Sequence, residues 1–145
     1  MATVPQSFAN HTRWHPIFHF FIAPVMLINF VVVFVGFIRN PGLAEGWWVV
    51  VMAAFVALIA LVRLNPLKAQ DRVIRLEEEL RIEQLLPAQL ATRARALTPA
   101  QLVALRFASD AELENLVAQV LDGKITRPVE IKRAITQWRA DTLRV

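Results

Sequence analysis

The sequence predicts an all-α protein with a two-helix transmembrane hairpin, followed by an amphipathic stalk helix and a small cytoplasmic helical bundle. Of its 145 residues, 56% are hydrophobic, whereas soluble domains average about 45–50%. Between residues 16 and 62 the only formal charges are Arg39 and Glu45, but charges recur every few positions from Arg63 onward. Only 4 glycines and many Ala, Leu, Arg and Glu residues favour helices over strands.

This contrast in polarity divides the chain into four predicted parts. They are an N-terminal cytoplasmic or interfacial segment (1–15), the transmembrane hairpin (16–64), a charged stalk helix (65–86) and a small cytoplasmic helical domain (87–145).

The first predicted span covers residues 17–38. At about 1.5 Å per residue it is long enough for a ~30 Å hydrocarbon core. A signal peptide is the alternative, but its apolar region of about 7–15 residues would be shorter and would end at a small-residue cleavage site. Here a turn of sequence RNPG follows at 39–42, so we expect a retained span. Pro24 lacks an amide donor and should kink this helix near Phe20.

The second span covers residues 45–64, with its most apolar part at 47–62, and is close to the lower length limit. The connection at 39–46 is short, so the two helices should be antiparallel neighbours. Basic residues before the first span and after the second place both termini in the cytoplasm by the positive-inside rule. The residues expected at the lipid interface are Trp14, Trp47, Trp48, Arg63 and Lys68.

Small residues within the spans are candidates for helix packing, because membrane helices associate through close approach and polar contacts. They are Gly36, Ala53, Ala57 and Ala60, together with the amide of Asn29. A bare amide facing lipid would be costly. We expect Asn29 to hydrogen-bond across the hairpin or to a partner, with a functional ligand role as the alternative.

The stalk carries Val73, Leu76 and Leu80 at the spacing of two coiled-coil heptads, but Glu83 takes the next core position. Because a sustained coiled coil needs three or four heptads, these residues predict a charged helix that leans on a partner. Glu77 and Arg81 are predicted to form an i,i+4 pair.

The remaining segment contains signals for three short helices. Thr98 with Gln101 and Ser109 with Glu112 match capping boxes, and Pro128 should begin the last helix. After Ser109 and Glu112, an apolar stripe predicts a helix that ends at Gly123. The stripe consists of Leu113, Leu116, Val117 and Val120.

Trp138 is expected on the apolar side of the last helix and is a candidate for partner binding, together with the stalk residues Val73, Leu76 and Leu80. The basic residues around Trp138 suit an anionic lipid or a protein partner. The net charge of +4 is too small to indicate a nucleic-acid interface.

The three histidines, His11, His15 and His19, are four residues apart near the first span. Pro16 fits best as the first residue of the membrane helix. His19 would then lie one turn inside, where a neutral imidazole is a possible ligand for haem or chlorophyll, with His15 as a second candidate. Interfacial anchoring or hydrogen bonding is the alternative. No Asp, Glu or Cys lies nearby to complete a metal-ion site.

No catalytic constellation is recognisable, so we predict that the protein is not an enzyme. The chain has no Cys, which excludes thiolate chemistry. It also has no Gly-rich phosphate loop, and its acidic residues lie on solvated helix faces.

Several strings give the sequence a family resemblance. They are NHTRWHP (10–16), FHF (18–20), QDRVIRLEE (70–78), LTP (97–99), LVALRFASD (102–110), IKRAI (131–135), WR (138–139) and LRV (143–145). Over essentially its full length the chain resembles a bacterial family of two-span inner-membrane proteins known only as a domain of unknown function. The resemblance implies an inner-membrane protein, but no activity, cofactor or catalytic residue.

Three functions are compatible with these features. The first is an accessory or scaffold subunit of a larger membrane complex, with the lipid bilayer and other membrane subunits, or further copies of itself, as partners. The second is a tetrapyrrole-binding subunit of a photosynthetic or respiratory assembly that uses His19. The third is a membrane-tethered adaptor whose helices recruit a cytoplasmic partner.

Overall fold

The structure, a computed structural model, describes residues 6–10 and 14–141. His11 and Arg13, on which part of the sequence analysis depends, lie outside these residues. Within the described residues the protein is all-helical, with one isolated β-bridge and no strand. A π-helical turn at Phe18–Ile22 precedes six α-helices, which are α1 (Ala23–Arg39), α2 (Leu43–Leu85), α3 (Ala88–Ala94), α4 (Pro99–Leu105), α5 (Asp110–Leu121) and α6 (Pro128–Ala134).

The π-helical turn occurs where the sequence predicts a disruption. Pro24 has no amide hydrogen, so the carbonyl of Phe20 has no i→i−4 donor. The amide of Ala23 bonds instead to the carbonyl of Phe18, five residues back. The backbone therefore accommodates Pro24 by a wider turn around Phe20.

Helix α2 is a single element of 43 residues that continues through Pro66. The predicted second span and the predicted stalk therefore lie on one helix. Only residues 40–42 separate α1 from α2, a shorter connection than the predicted 39–46. The segment Phe18–Arg39 and helix α2 are both long and apolar enough to cross a membrane.

The chain forms two compact units: one ends at Pro66, and the other begins at Leu67 and also includes the described residues 6–10. In the unit that begins at Leu67, α4 packs against α5 and α6, and α3 packs against α5. Ile82 of α2 and Leu86, which follows α2, belong to the same core. Its largest fully buried side chains are Phe107, Leu102, Leu105, Leu113, Ile131 and Val117.

The predicted features of α4 and α5 are largely confirmed. The Thr98 hydroxyl accepts from the amide of Gln101, and the Gln101 side chain accepts from the amide of Thr98. The predicted apolar stripe of α5 is buried. After α5, Gly123 has φ +74°, and the amides of Gly123 and Lys124 bond to Val120 and Gln119. These bonds form the Schellman ending that only a residue tolerant of positive φ adopts without strain.

Two predictions in this unit are wrong. Ser109 precedes α5 but its side chain makes no capping bond; its hydroxyl lies 3.4 Å from Oε1 of Gln137, and Glu112 bonds to Thr136 and Gln137. Helix α6 begins at Pro128, as predicted, but ends at Ala134, so Trp138 is not on a helix. It lies in an extended segment that forms an antiparallel bridge with Ala108.

Glu112 holds that extended segment through three hydrogen bonds. Its carboxylate accepts from the amide (3.1 Å) and hydroxyl (2.7 Å) of Thr136 and from the amide of Gln137 (3.1 Å). Partial burial by itself would raise the pKa of Glu112, but these hydrogen bonds outweigh it and lower the pKa below its ordinary value of 4.5.

We expect Glu112→Gln to lower the free energy of unfolding at pH 7 by about 1–2 kcal/mol, because hydrogen bonds to a charged acceptor are lost. A lowered folded-state pKa means that the carboxylate contributes fully above 4.5 and that this contribution is lost as the pH falls through the folded-state value. Hydrogen exchange of the α5 amides at several pH values measures both effects. The exposed Glu114→Gln on the same helix is the control. An unchanged pH profile in Glu112→Gln would contradict this account.

Candidate functional site

A buried cluster of charged side chains lies at the junction of α2 with the start of α5. Nε and Nη2 of Arg81 donate to Oδ1 of Asp110 at 2.8 and 2.6 Å. Nη2 also donates to the carbonyl of Ala108 (2.7 Å), and Nη1 donates to Oε2 of Glu78 (3.0 Å). The Arg81 side chain is 8% exposed, so a single guanidinium with nearly all its donors engaged links two helices and a loop.

Glu78 is 3% exposed, and Nη1 of Arg139 lies 3.6 Å from its second oxygen. Burial raises the pKa of Glu78 above its ordinary value, although the positive charge and hydrogen bond of Arg81 oppose this shift. The predicted pair of Glu77 with Arg81 is therefore wrong, since Arg81 points into the unit and bonds to Glu78 and Asp110.

A groove of about 560 Å³ runs beside this cluster. One side of the groove is formed by α2 residues that recur at three- and four-residue spacing. The opposite side is formed by the extended segment that follows α6. Nε of Arg106 lies 3.1 Å from Asp141 at this groove, and its guanidinium stacks over the ring of Phe107 at 4.4 Å. The α2 side of the groove comprises Gln70, Val73, Ile74, Glu77, Glu78, Leu80, Arg81 and Gln84.

The predicted partner-binding residues of α2 remain exposed in the single chain. Val73, Leu76 and Leu80 are 54%, 60% and 58% exposed. The face of α2 that packs into the unit lies to one side of this stripe and contains Ile74, Glu78, Arg81 and Ile82. Trp138, the fourth predicted residue, instead packs against Phe107 with ring centroids 5.0 Å apart.

The unit that precedes Leu67 has its own pattern of partial burial. Half-buried side chains recur every three or four residues on both helices. A Cβ built on Gly46 would lie 3.4 Å from the ring of Phe37, and the guanidinium of Arg63 lies 5.9 Å from the ring of Phe18. The half-buried positions are Phe18, His19, Ile22, Ala23, Met26, Phe30, Val33 and Phe37 in the segment Phe18–Arg39 and Gly46, Val49, Val51, Met52, Val56, Ile59 and Arg63 on α2.

The residues predicted for helix packing do not belong to this half-buried set. Asn29, Gly36 and the three alanines at 53, 57 and 60 are all exposed in the single chain. Among the predicted interfacial residues, Trp14, Trp47, Trp48 and Lys68 are exposed, whereas Arg63 is half-buried.

The candidate ligand His19 lies in an aromatic environment and contacts the backbone of His15. Its Nδ1 is 3.0 Å from the carbonyl oxygen and 3.1 Å from the amide nitrogen of His15. Trp14 meets its ring edge-on at 4.9 Å. With the proton on Nδ1, His19 donates to the carbonyl and its Nε2 keeps a free lone pair. Nδ1 of His15 is 3.4 Å from the amide of Phe18, which suits a role at the start of the helix.

The described residues contain no group of three or more His, Cys, Asp or Glu side chains that could hold a metal ion. The cluster around Arg81 was not predicted from the sequence. Its members are far apart in the chain, and only the buried i,i+3 pair of Glu78 and Arg81 leaves a local trace, inside a helix full of charges.

The profile described as "Family of unknown function (DUF6526)" matches residues 1–145. No curated protein and no solved structure matches the chain.

Proposed function

The chain belongs to the DUF6526 family of unknown function, and we propose that it is an accessory or scaffold subunit of a bacterial membrane protein complex. It packs in that complex through a transmembrane hairpin and through its cytoplasmic helices. One observation carries the proposal: the most apolar windows of both long helices are 0% buried within the chain. Surface of this kind is stable in lipid or against other membrane helices, and not in water.

Two other origins of such helices fit less well. The core helix of a soluble protein would be mostly buried, which these windows are not. A signal sequence lies near the N-terminus, as Phe18–Arg39 does and α2 does not, but its apolar region of about 7–15 residues would be shorter than Phe18–Arg39. The retained pair is therefore better explained as two membrane spans.

The hairpin arrangement is supported by contacts near both ends of the helices. A connection of residues 40–42 is of the length that joins antiparallel helices. Phe37 approaches Gly46 near this connection, and Arg63 approaches Phe18 at the other end of the two helices. These two contacts support an antiparallel hairpin. Arg63 and Lys68 then lie on the cytoplasmic side, in agreement with the positive-inside rule.

The accessory role follows from surfaces that the chain leaves uncovered. Asn29 and the three alanines are exposed in the single chain, and Val73, Leu76 and Leu80 are exposed on α2. The interior of the unit that contains Val73, Leu76 and Leu80 is already filled by Phe107 and its neighbours. These exposed surfaces therefore suit contacts with other subunits.

The membrane arm of the proposal is tested by labelling single cysteines in spheroplasts, since the chain has no Cys of its own. A membrane-impermeant maleimide should label Asn40→Cys in intact spheroplasts and should label Lys68→Cys only after lysis. Equal labelling of both variants before lysis would contradict the hairpin.

The complex is tested by extracting membranes with a mild detergent and measuring the mass of the native particle. We expect a particle larger than one chain, and we expect Leu76→Lys to shift it to a smaller size. Val129→Lys is the matched control, because Val129 is similarly exposed (51%) but lies on α6. A particle that contains one chain and no partner would overturn the proposal.

A second candidate function, binding of haem or chlorophyll, is favoured by the contact of His19 Nδ1 with the His15 carbonyl. Ligating histidines commonly donate their other ring nitrogen to such an acceptor. The absorption spectrum of the same particle tests this candidate. A Soret or chlorophyll band that disappears in His19→Ala would support it, and a spectrum without either band would reject it.

A further inference from the structure

We infer that the partner of the exposed stripe is a second copy of this chain, packed in parallel and in register along α2. This inference rests on the proposed membrane insertion and names one subunit of the proposed complex. The stripe consists of Val73 and Leu80 at heptad position a and Leu76 at position d.

The relative orientation follows from the membrane. Copies inserted with the same topology are related by an axis along the membrane normal, so their α2 helices run in the same direction. Because α2 is continuous from Leu43 to Leu85, this parallel direction extends to the stripe. In a parallel pair each a residue meets the same a residue of the partner, and each d residue meets the same d residue.

The charges beside the stripe complement one another in this arrangement. Arg72 is at position g and Glu77 at the following position e. In a parallel pair a g residue faces the e residue five positions further along the partner. Arg72 of each copy therefore faces Glu77 of the other, and symmetry produces this pair twice.

Both side chains are available for this contact. Arg72 and Glu77 are exposed, and among residues 6–10 and 14–141 no ion pair includes either of them. Glu79, at the next position g, already bonds to Arg75 at 2.7 Å, and position e of the following heptad is the uncharged Gln84. Among the described residues, Arg72 and Glu77 are therefore the charges beside Val73, Leu76 and Leu80 that have no ion pair within the chain.

The groove beside α2 adds to the fit. Its α2 side includes Val73 and Leu80 at positions a and Glu77 at position e. The lining also includes Arg81, Arg106 and Arg139, and Glu78 is already paired with Arg81 and Arg139, so the attraction for an incoming Arg72 comes from Glu77. The partner helix would cover the apolar edge of this groove and remove Val73 and Leu80 from water.

Disulfide trapping of the full-length protein in liposomes tests the inference without background thiols. Val73→Cys and Leu80→Cys should each form a crosslinked dimer under mild oxidation, because identical a positions face each other only in a parallel, in-register pair. Asp71→Cys is exposed and two residues from Val73, but lies on the opposite side of the helix and should remain largely monomeric. Equal crosslinking of Asp71→Cys and Val73→Cys would overturn the inference.

Charge reversal gives a second test in the Leu80→Cys background. Arg72→Glu or Glu77→Arg should each weaken dimerisation, measured over a range of protein-to-lipid ratios, by about five- to tenfold, because attraction becomes repulsion at two sites. In the double variant, dimerisation should return to within about twofold of that of the parent, because exchanging both charges restores the attraction between positions 72 and 77. Circular dichroism checks that each variant remains helical.

The outcomes separate this inference from the proposed function. If the charge reversals have no effect, or if the double variant fails to recover, the parallel pairing is wrong. If no α2 thiol crosslinks although the native particle exceeds one chain, another protein covers the stripe and the scaffold role survives alone. A single-chain particle would overturn both.

Discussion

Replacement of Arg81 by alanine is expected to lower the free energy of unfolding of the unit after Pro66 by about 3–5 kcal/mol, because removal of one partner leaves a buried charge uncompensated. Glu78 would keep only the longer contact to Arg139, at 3.6 Å. The carbonyl of Ala108 would also lose the donor at 2.7 Å. Hydrogen exchange of the most protected amides in α4 and α5 of the full-length protein in detergent measures the change.

The exposed pair of Arg75 and Glu79 is the natural control for this variant. Its atoms are 2.7 Å apart, as close as those of the buried cluster, but the side chains are 52% and 40% exposed. Arg75→Ala should therefore cost only about 0.3–0.5 kcal/mol.

A double variant separates the cost of an isolated charge from the net contribution of the pair. In Glu78→Leu with Arg81→Leu both buried charges are removed, and the Asp110 side chain, 67% exposed, remains hydrated. We expect the double variant to be more stable than Arg81→Ala, since apolar replacement of buried pairs is often neutral. Equal losses in Arg81→Ala and Arg75→Ala would contradict the view that burial determines the cost.

Phe107→Ala is expected to destabilise the same unit by about 3–5 kcal/mol, the usual cost of truncating a buried phenylalanine. Phe107 is 0% exposed and belongs to the core that joins the end of α2 to α4, α5 and α6. Its ring contacts Trp138 and lies under the guanidinium of Arg106. Truncation should therefore also loosen the extended segment after α6, visible as faster exchange of the Arg139 amide, which donates to the Phe107 carbonyl at 2.7 Å.

The control is Val129→Ala, a truncation at an exposed site of α6. Because Val129 is 51% exposed, we expect a change within about 0.5 kcal/mol. A Phe107→Ala variant as stable as Val129→Ala would show that the core does not depend on this ring.

Local signals in the sequence predicted the helices well. The capping box at Thr98, the stripe of α5, the glycine after it and the proline that begins α6 each depend on residues within a few positions, and each is confirmed. The same locality explains the failure at Ser109. Glu112 could complete a capping box, but the chain bends so that Thr136 and Gln137 offer it better donors.

The packing of α2 shows the opposite case. An amphipathic pattern normally directs its apolar face inward, and the predicted stripe of Val73, Leu76 and Leu80 follows that rule. In the single chain the inward face is a different one, and it carries Glu78 and Arg81 together with Ile74 and Ile82. The charged face of α2 can be buried because Asp110 and the carbonyl of Ala108 complete the hydrogen bonds of Arg81. The sequence of α2 alone contains no information about these distant groups.

The sequence by itself determined that the protein is helical, that two of its helices are long and apolar, where three of the short helices, α4, α5 and α6, begin, and where α5 ends. These properties depend on composition and on contacts within one or two turns. Only the tertiary structure decided which face of α2 is buried, where Trp138 lies, and that the stripe and the packing candidates of the two long apolar helices stay uncovered in one chain. The buried face of α2 depends on groups far apart in the chain, such as Arg81 and Asp110, which are 29 residues apart. Their pairing is required once folding removes Arg81 from water, because an unpaired buried charge is costly.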